Sequence, residues 1–209
     1  MTTHPSPSRQ IDVLVAGFAL VVLAPVMALI LILIRLTSRG PAIFRQSRIG
    51  YRKRPFVMLK FRSMTVNCGD EVHRDFVGRM LGGEDPRGRS GGGLYKLQDD
   101  CRVTRVGRIL RATSLDELPQ LMNVLRGEMA IVGPRPALAW EVELYQPHHH
   151  ERFEVKPGIT GLWQVSGRSR LSMNEALELD VEYARRRSVA LDLSIIVRTI
   201  PALFPSWTA

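Results

Sequence analysis

The sequence predicts an α+β protein: a small mixed helix/strand domain preceded by one long apolar helix that enters a membrane. Three observations carry that reading. Ile11 to Ile34 is an apolar run of 24 residues whose only charge is Asp12, at its start. Behind it, short runs rich in Val, Ile, Phe and Met are set between Gly and Pro turns. Further on, amphipathic and capped stretches read as helices, some of them suited to a membrane interface. At 209 residues the chain suffices for one globular domain and a membrane element, and is too short for two ordinary domains. Gly40-Pro41 marks the boundary between a membrane helix over 1–39 and a domain over 40–209.

The apolar run exceeds the roughly 20 residues that a helix needs to cross a bilayer. It is too long for the ~7–15-residue core of a signal peptide. Pro25 lies inside it, where it removes the hydrogen bond to Val21 and favours a kink. Both flanks are basic, with Arg9 before and Arg35, Arg39, Arg45 and Arg48 after, so charge favours both ends on the cytoplasmic side. A helix broken near Pro25 meets that condition by entering and leaving through one leaflet. Asp12 to Pro25 is about 20 Å at ~1.5 Å per residue, short of the ~30 Å hydrocarbon core. A re-entrant helix is therefore expected rather than a straight span. From Arg35 to Arg62 there are nine Lys or Arg and no acid. Such a segment suits anionic headgroups, at ~1 kcal/mol per basic residue near the surface.

In the domain, Ala42 to Gln46 and Phe56 to Phe61 read as short strands joined by a turn over Gly50 to Lys53. Gly82 to Gly93 reads as a loop, and its glycines lack phosphate-loop spacing. Val103 to Arg111 is a basic amphipathic helix. Two adjacent acids follow, Asp116 and Glu117. Ser114 and Glu117 match a capping box, and Asp116 is the alternative cap because Pro119 then falls in the first turn. Either way the pair lies at a helix start, where anions are favoured. That helix runs over Gln120 to Leu125, and Gly127 stops it.

Met129 to Val132 is a strand, and Gly133-Pro134-Arg135-Pro136 is a rigid turn presenting Arg135. His148, His149 and His150 read as a solvated polar run. Lys156 to Trp163 is loop-like. Ser172 to Arg187 is a helix whose acids, Glu175, Glu178, Asp180 and Glu182, are either site residues or an exposed salt-bridged face. Leu191 to Ile200, with Pro201, Phe204 and Trp207 behind it, packs in a core or lies in the interface plane.

A formal net charge of +9 points to anionic partners: nucleic acid, anionic lipid or a phosphorylated substrate. Cys68 and Cys101 form neither a disulfide framework nor a zinc spacing. A carboxylate pair among cations suits work on a phosphate, as nucleophile, proton acceptor or Mg2+ ligand. A membrane-anchored module binding anionic lipid or nucleic acid is the rival reading. It leaves the acidic pair and the Pro-Arg-Pro turn unexplained, and the basic residues lack the aromatic interleaving of single-strand binders. A glycosidase needs its carboxyls about 5–9.5 Å apart across a sugar, which adjacent residues supply poorly.

Taken in order, the blocks Gly40-Pro41 with Phe44-Arg45-Gln46, Lys60 to Met64, Arg111 to Gln120, Gly133 to Pro136, Pro157 to Gly161 and Gly167-Arg168 form a specific pattern. Over roughly residues 8 to 205 the chain resembles the bacterial sugar transferases known as monotopic polyprenol-phosphate phosphoglycosyl transferases, in their minimal catalytic form. The resemblance implies transfer of a sugar 1-phosphate from a UDP-sugar to a polyprenyl phosphate, undecaprenyl phosphate being the expected carrier, with release of UMP. It implies Asp116 as covalent nucleophile and Glu117 as Mg2+ ligand or proton handler. It assigns phosphate of the lipid carrier to Arg111, with Lys60 and Arg62 as further phosphate ligands. It places Pro134, Arg135 and Pro136 at the nucleotide end and includes Arg168 and Asp180 among substrate-site residues. It also implies a re-entrant helix at the bacterial inner membrane with the domain on the cytoplasmic face, and no nucleic-acid partner; a homodimer stays open. In one departure, Ala24 stands where the family often has serine before the proline.

Overall fold

The computed structural model describes residues 7–65, 71–84, 102–167 and 170–202. It confirms a mixed helix/strand protein with an N-terminal apolar helix. Arg168, Cys68, Cys101, Phe204 and Trp207 lie outside the described residues, as does most of the expected 82–93 loop.

Helix α1, Pro7–Thr37, continues through Pro25. The expected division into two limbs at Pro25 is not seen: a single missing backbone bond leaves the flanking turns intact, so any turning back is a bend within one helix. At ~1.5 Å per residue it is about 46 Å long. One face is bound along its length: Asp12, Ala16, Ile30 and Ile34 are buried, and Ala19, Leu20, Met27 and Leu31 pack beside them. The other face exposes Leu14, Phe18, Val21, Leu29, Ile32 and Leu36. Among the described residues this is the one helix long and apolar enough to cross a membrane.

Both ends of α1 are pinned to the same domain. Arg9 donates to the carbonyls of Val124 and Leu125 (2.6 and 2.9 Å), and Asp12 accepts from the Ile131 amide at 2.9 Å. At the far end Arg62 Nη2 donates to both oxygens of Ser38 (2.8 and 2.7 Å).

Strands β1, Ile43–Ile49, and β2, Pro55–Phe61, form an antiparallel hairpin in the register Ile43↔Phe61 to Ile49↔Pro55. β1 runs three residues beyond its expected end, because Arg48 and Ile49 find partners at Pro136 and Ala137. Helix α2, Glu71–Leu81, was not expected from the sequence. Phe76, Val77 and Met80 bury it against Trp163, Met173 and Ala176, and their i, i+1, i+4 spacing is the signal that marks it.

Helix α3, Arg105–Ala112, is capped by Thr104 and approaches the chain after β2 at Gly107. A Cβ there would lie 1.9 Å from the Ser63 carbonyl oxygen. Helix α4, Gln120–Arg126, ends at Gly127 in the left-handed region, φ 82°, as its sequence predicts.

Strand β3, Ala130–Val132, pairs in parallel with β4, Gly158–Thr160. The stretch read as a loop over 156–163 thus holds a strand and the start of helix α6, Leu162–Ser166. Its two glycines and a proline hide the strand. The backbones meet so closely at Gly133 and Gly158 that a Cβ on either would fall within 2.3 Å of the other segment. Between β3 and β4 lie the short helix α5, Ala139–Glu143, and a 3-10 helix, Pro147–Glu154. Helix α7, Met173–Arg186, opens with a reciprocal Ser172–Glu175 capping box. Helix α8, Val189–Ala202, packs in the core through Ile195, which is buried with Val132, Val155, Leu162 and Tyr183, while Leu193, Val197 and Ile200 stay exposed.

Replacing Gly107 with alanine should destabilise the protein by about 2 kcal/mol or more, since the clash is with rigid backbone. Denaturant unfolding in detergent, followed by circular dichroism, measures it.

Candidate active site

The acidic pair lies on one 3-10 turn, Leu115–Glu117, between α3 and α4. The chain enters through Ser114 at φ 56°, ψ 15°, a left-handed conformation that costs a non-glycine residue about 1–2 kcal/mol. The expected capping box does not form: Ser114 makes no side-chain capping bond, and α4 starts only at Gln120 after Pro119. The acids therefore precede the helix instead of occupying its first turn. The reason is tertiary. Glu117 reaches across to β2, where its Oε1 lies 2.8 Å from Lys60 Nζ. Asp116 beside it is buried, at 6% exposure.

Lys60 and Glu117 are brought together by a residue the sequence did not single out. Asn123 of α4 is fully buried. Its Oδ1 accepts from the Leu59 amide at 3.0 Å, and its Nδ2 donates to the Val57 carbonyl and to Glu128 Oε2, each at 2.7 Å. The side chain thus acts as a strand partner for β2 and fixes α4, and the turn before it, against the strand that carries Lys60. Arg111 occupies the last turn of α3, which packs on the acidic turn. Arg62 is buried just past β2 and spends Nη2 on Ser38.

The Pro-Arg-Pro turn forms a second cluster. All three of its carbonyls are held: Pro134 by the Gly158 amide (2.9 Å), Arg135 by Arg152 Nη2 (2.7 Å) and Pro136 by Arg48 Nη1 (3.0 Å). Asp180 lies behind this turn. It is buried and accepts from Arg152 Nη2 at 2.6 Å, while Arg152 Nη1 donates to the Tyr145 hydroxyl at 2.8 Å. Burial pushes the Asp180 carboxyl up to about 6, against Arg152 and Arg135, which pull it down. Asp180 therefore acts in this structure by positioning Arg152 and, through it, the Arg135 main chain.

The histidine run is not the solvated loop its sequence suggests. His149 is buried, and its Nε2 and that of His148 both meet Glu178 Oε1, at 3.1 and 2.5 Å. Burial lowers the His149 pKa, which favours its neutral ring. Among the other acids of α7, Glu175 is the cap and Glu182 pairs with Arg186 on the surface.

A cavity of about 220 Å3 opens beside the acidic turn. Leu115, Leu118, Leu121, Ile159 and Val165 wall it, with Thr113, Ser114, Glu117, Thr160, Gln164 and Thr199 supplying its polar atoms.

The family of bacterial sugar transferases matches residues 4–206. The chain belongs to that family. An exopolysaccharide production protein, ExoY, of Sinorhizobium fredii is 43% identical over 202 residues, covering 93% of this chain and 84% of the relative. A UDP-glucose:undecaprenyl-phosphate glucose-1-phosphate transferase of Caulobacter vibrioides is 39% identical over 203 residues, covering 93% of this chain and 68% of the relative. A galactosyl transferase, CpsE, of Streptococcus agalactiae is 42% identical over 162 residues, covering 77% of this chain but 34% of the relative. The sugar transferase described here thus shares its whole domain with proteins that handle sugars, and its apolar helix fits association with a membrane.

Two outcomes follow from the buried polar groups of this transferase. Arg152→Met leaves Asp180 buried without its cation and should cost about 3–5 kcal/mol, while adding Asp180→Leu should recover part of the loss. Urea titration of the single and double variants checks this. Asn123→Leu strands the Leu59 amide and Val57 carbonyl and should cost about 2–3 kcal/mol; the same titration reads it.

Proposed function

We propose that this transferase moves a sugar 1-phosphate from a UDP-sugar to a polyprenyl phosphate, with release of UMP, through a covalent phosphosugar on Asp116. The observation that carries the reading is the buried Asp116 beside the Glu117–Lys60 pair. A buried carboxylate adjoining a lysine-paired acid on one turn is a nucleophile placed to meet a diphosphate. The relative from Caulobacter vibrioides is named as a glucose-1-phosphate transferase acting between UDP-glucose and undecaprenyl phosphate.

An Asp116 carboxylate oxygen attacks the phosphorus that bears the sugar. The bond from that phosphorus to the bridging oxygen breaks, and UMP leaves with the electron pair. A phosphate oxygen of the lipid carrier then attacks the same phosphorus, breaks its bond to Asp116 and restores the carboxylate. The products are UMP and polyprenyl-diphosphate sugar. Splitting one transfer into two steps is the general gain of covalent catalysis. Lys60 and Arg111 supply positive charge that offsets repulsion between the carboxylate and the diphosphate. Arg135, on its clamped turn, serves the nucleotide.

The oxygen donors of Asp116 and Glu117, with the substrate phosphates, suit Mg2+. When bound, that ion neutralises charge on the transferring phosphoryl group. Glu117 is the residue that would hold it, and Lys60 orients the Glu117 carboxylate by their 2.8 Å contact.

Support for a site at headgroup level comes from α1. Its two ends, at Arg9 and Ser38, are tied to one domain, while its outer face is apolar. A straight crossing would part those ends by the ~30 Å core, so we place both on the cytoplasmic face of the bacterial inner membrane.

Asp116→Asn should abolish lipid-linked product and the trapping of phosphosugar on the protein, with initial velocities of the native enzyme giving parallel lines when both substrates are varied. A panel of UDP-sugars with undecaprenyl phosphate and Mg2+ in detergent, read by UMP release, measures both. Substantial turnover by the variant, or intersecting lines, excludes the covalent route.

A further inference from the structure

The cavity beside Glu117 has no role in the chemistry above. We infer that it receives the first isoprene units of the lipid carrier, so that the carrier enters the site between the acidic turn and α8. The inference rests on the proposed acceptor and adds where its chain lies and which side chains select it.

The lining decides the chemistry of the occupant. Five aliphatic side chains wall the cavity, and the three threonine hydroxyls are spent inside the protein. Thr113 donates to the Ile109 carbonyl at 2.8 Å. Thr199 donates to the Ile195 carbonyl at 2.7 Å, and Thr160 donates to Thr199, also at 2.7 Å. Gln164 keeps a buried Oε1 without a partner. With Ser114 and Glu117 at the end next to the acidic turn, these few polar groups are too little to read a sugar or a uracil, each of which brings several donors and acceptors that cost free energy when buried unpaired.

Size points the same way. A cavity of about 220 Å3 falls below the ~300–1,000 Å3 that encloses a drug-sized ligand, so a nucleotide sugar does not fit whole, whereas a segment of a chain does. Glu117 forms part of the lining, which sets the head of a chain bound there beside the acidic turn. The elements around it also lead outward to lipid. Helix α8, which contributes Thr199, exposes Leu193, Val197 and Ile200, and α3, which leads into Thr113, exposes Ile109.

Val165→Trp and Thr199→Phe each fill part of the cavity. Each should raise the KM for polyprenyl phosphate by about tenfold or more, the scale on which apolar pockets discriminate single methylene groups. UMP released in a single turnover without acceptor should be unchanged, which also reports that the variants are folded. A diazirine-bearing isoprenyl phosphate should label the segment over 159–165 or the peptide containing Thr199 in the native protein, and excess undecaprenyl phosphate should compete where a phospholipid of equal chain length does not. Loss of the donor half-reaction in step with acceptor turnover would assign the cavity to the nucleotide sugar and overturn the inference. So would an unmoved acceptor KM, or labelling competed equally by phospholipid. Labelling of the cavity in a protein that makes no lipid-linked sugar would uphold the site and refute the reaction, which separates the two failures.

Discussion

The acidic turn depends on a side chain outside it, Asn123. Among the described residues β1 and β2 form a two-stranded sheet, so the far edge of β2 needs partners for its amide and carbonyl groups. Asn123 satisfies two of them, at Leu59 and Val57, from within helix α4. A buried edge group without a partner is costly, so the helix has one favourable position against the strand. That position fixes the 3-10 turn before α4, and with it the distance from Glu117 to Lys60. Helix α1 closes the other side: Ala16 packs with Leu121 and Val124, and Arg9 covers the carbonyls at the C-terminal end of α4. Cations are favoured at that end by the helix dipole. The membrane element and the acidic turn are thus braced through the same short helix.

The second cluster follows a similar logic. The Pro-Arg-Pro turn owes its rigidity to its prolines and to three donors that hold three successive carbonyls. Arg152 is the most demanding of them, because a fully buried guanidinium needs a counter-charge, and Asp180 provides it. The parallel pairing of β3 with β4 carries this turn toward the acidic one, since the segment after Gly158 lines the cavity that also holds Glu117. Small residues at Gly133 and Gly158 permit that approach; a methyl group at either would separate the strands.

Much of this was legible in the sequence. The apolar segment, the hairpin, the stop at Gly127 and the start of α7 at Ser172 follow from local rules about hydropathy, turn residues and caps. So does the acidic pair as a candidate site, because two adjacent carboxylates in a basic chain have few structural uses. The errors share a cause. The capping box at Ser114 was lost because Glu117 found a stronger partner on another element. The strand at Gly158–Thr160 was hidden because glycine and proline suppress the β signal, while the pairing that creates it lies 28 residues away. His149 was read as solvated because nothing local announces that α7 will cover it.

The sequence by itself determined the family and the apolar segment suited to a membrane, since hydropathy and motif spacing are properties of the chain. Only the tertiary structure decided what each polar group is for. It spent Arg62 on Ser38, turned Asp180 into a support for Arg152 and Arg135, and recruited Asn123 and Arg152 to hold the site in place. The physical reason is that a buried donor, acceptor or charge must be matched by whatever element packs against it. That partner is chosen by contacts between residues far apart in the chain, which no local pattern records.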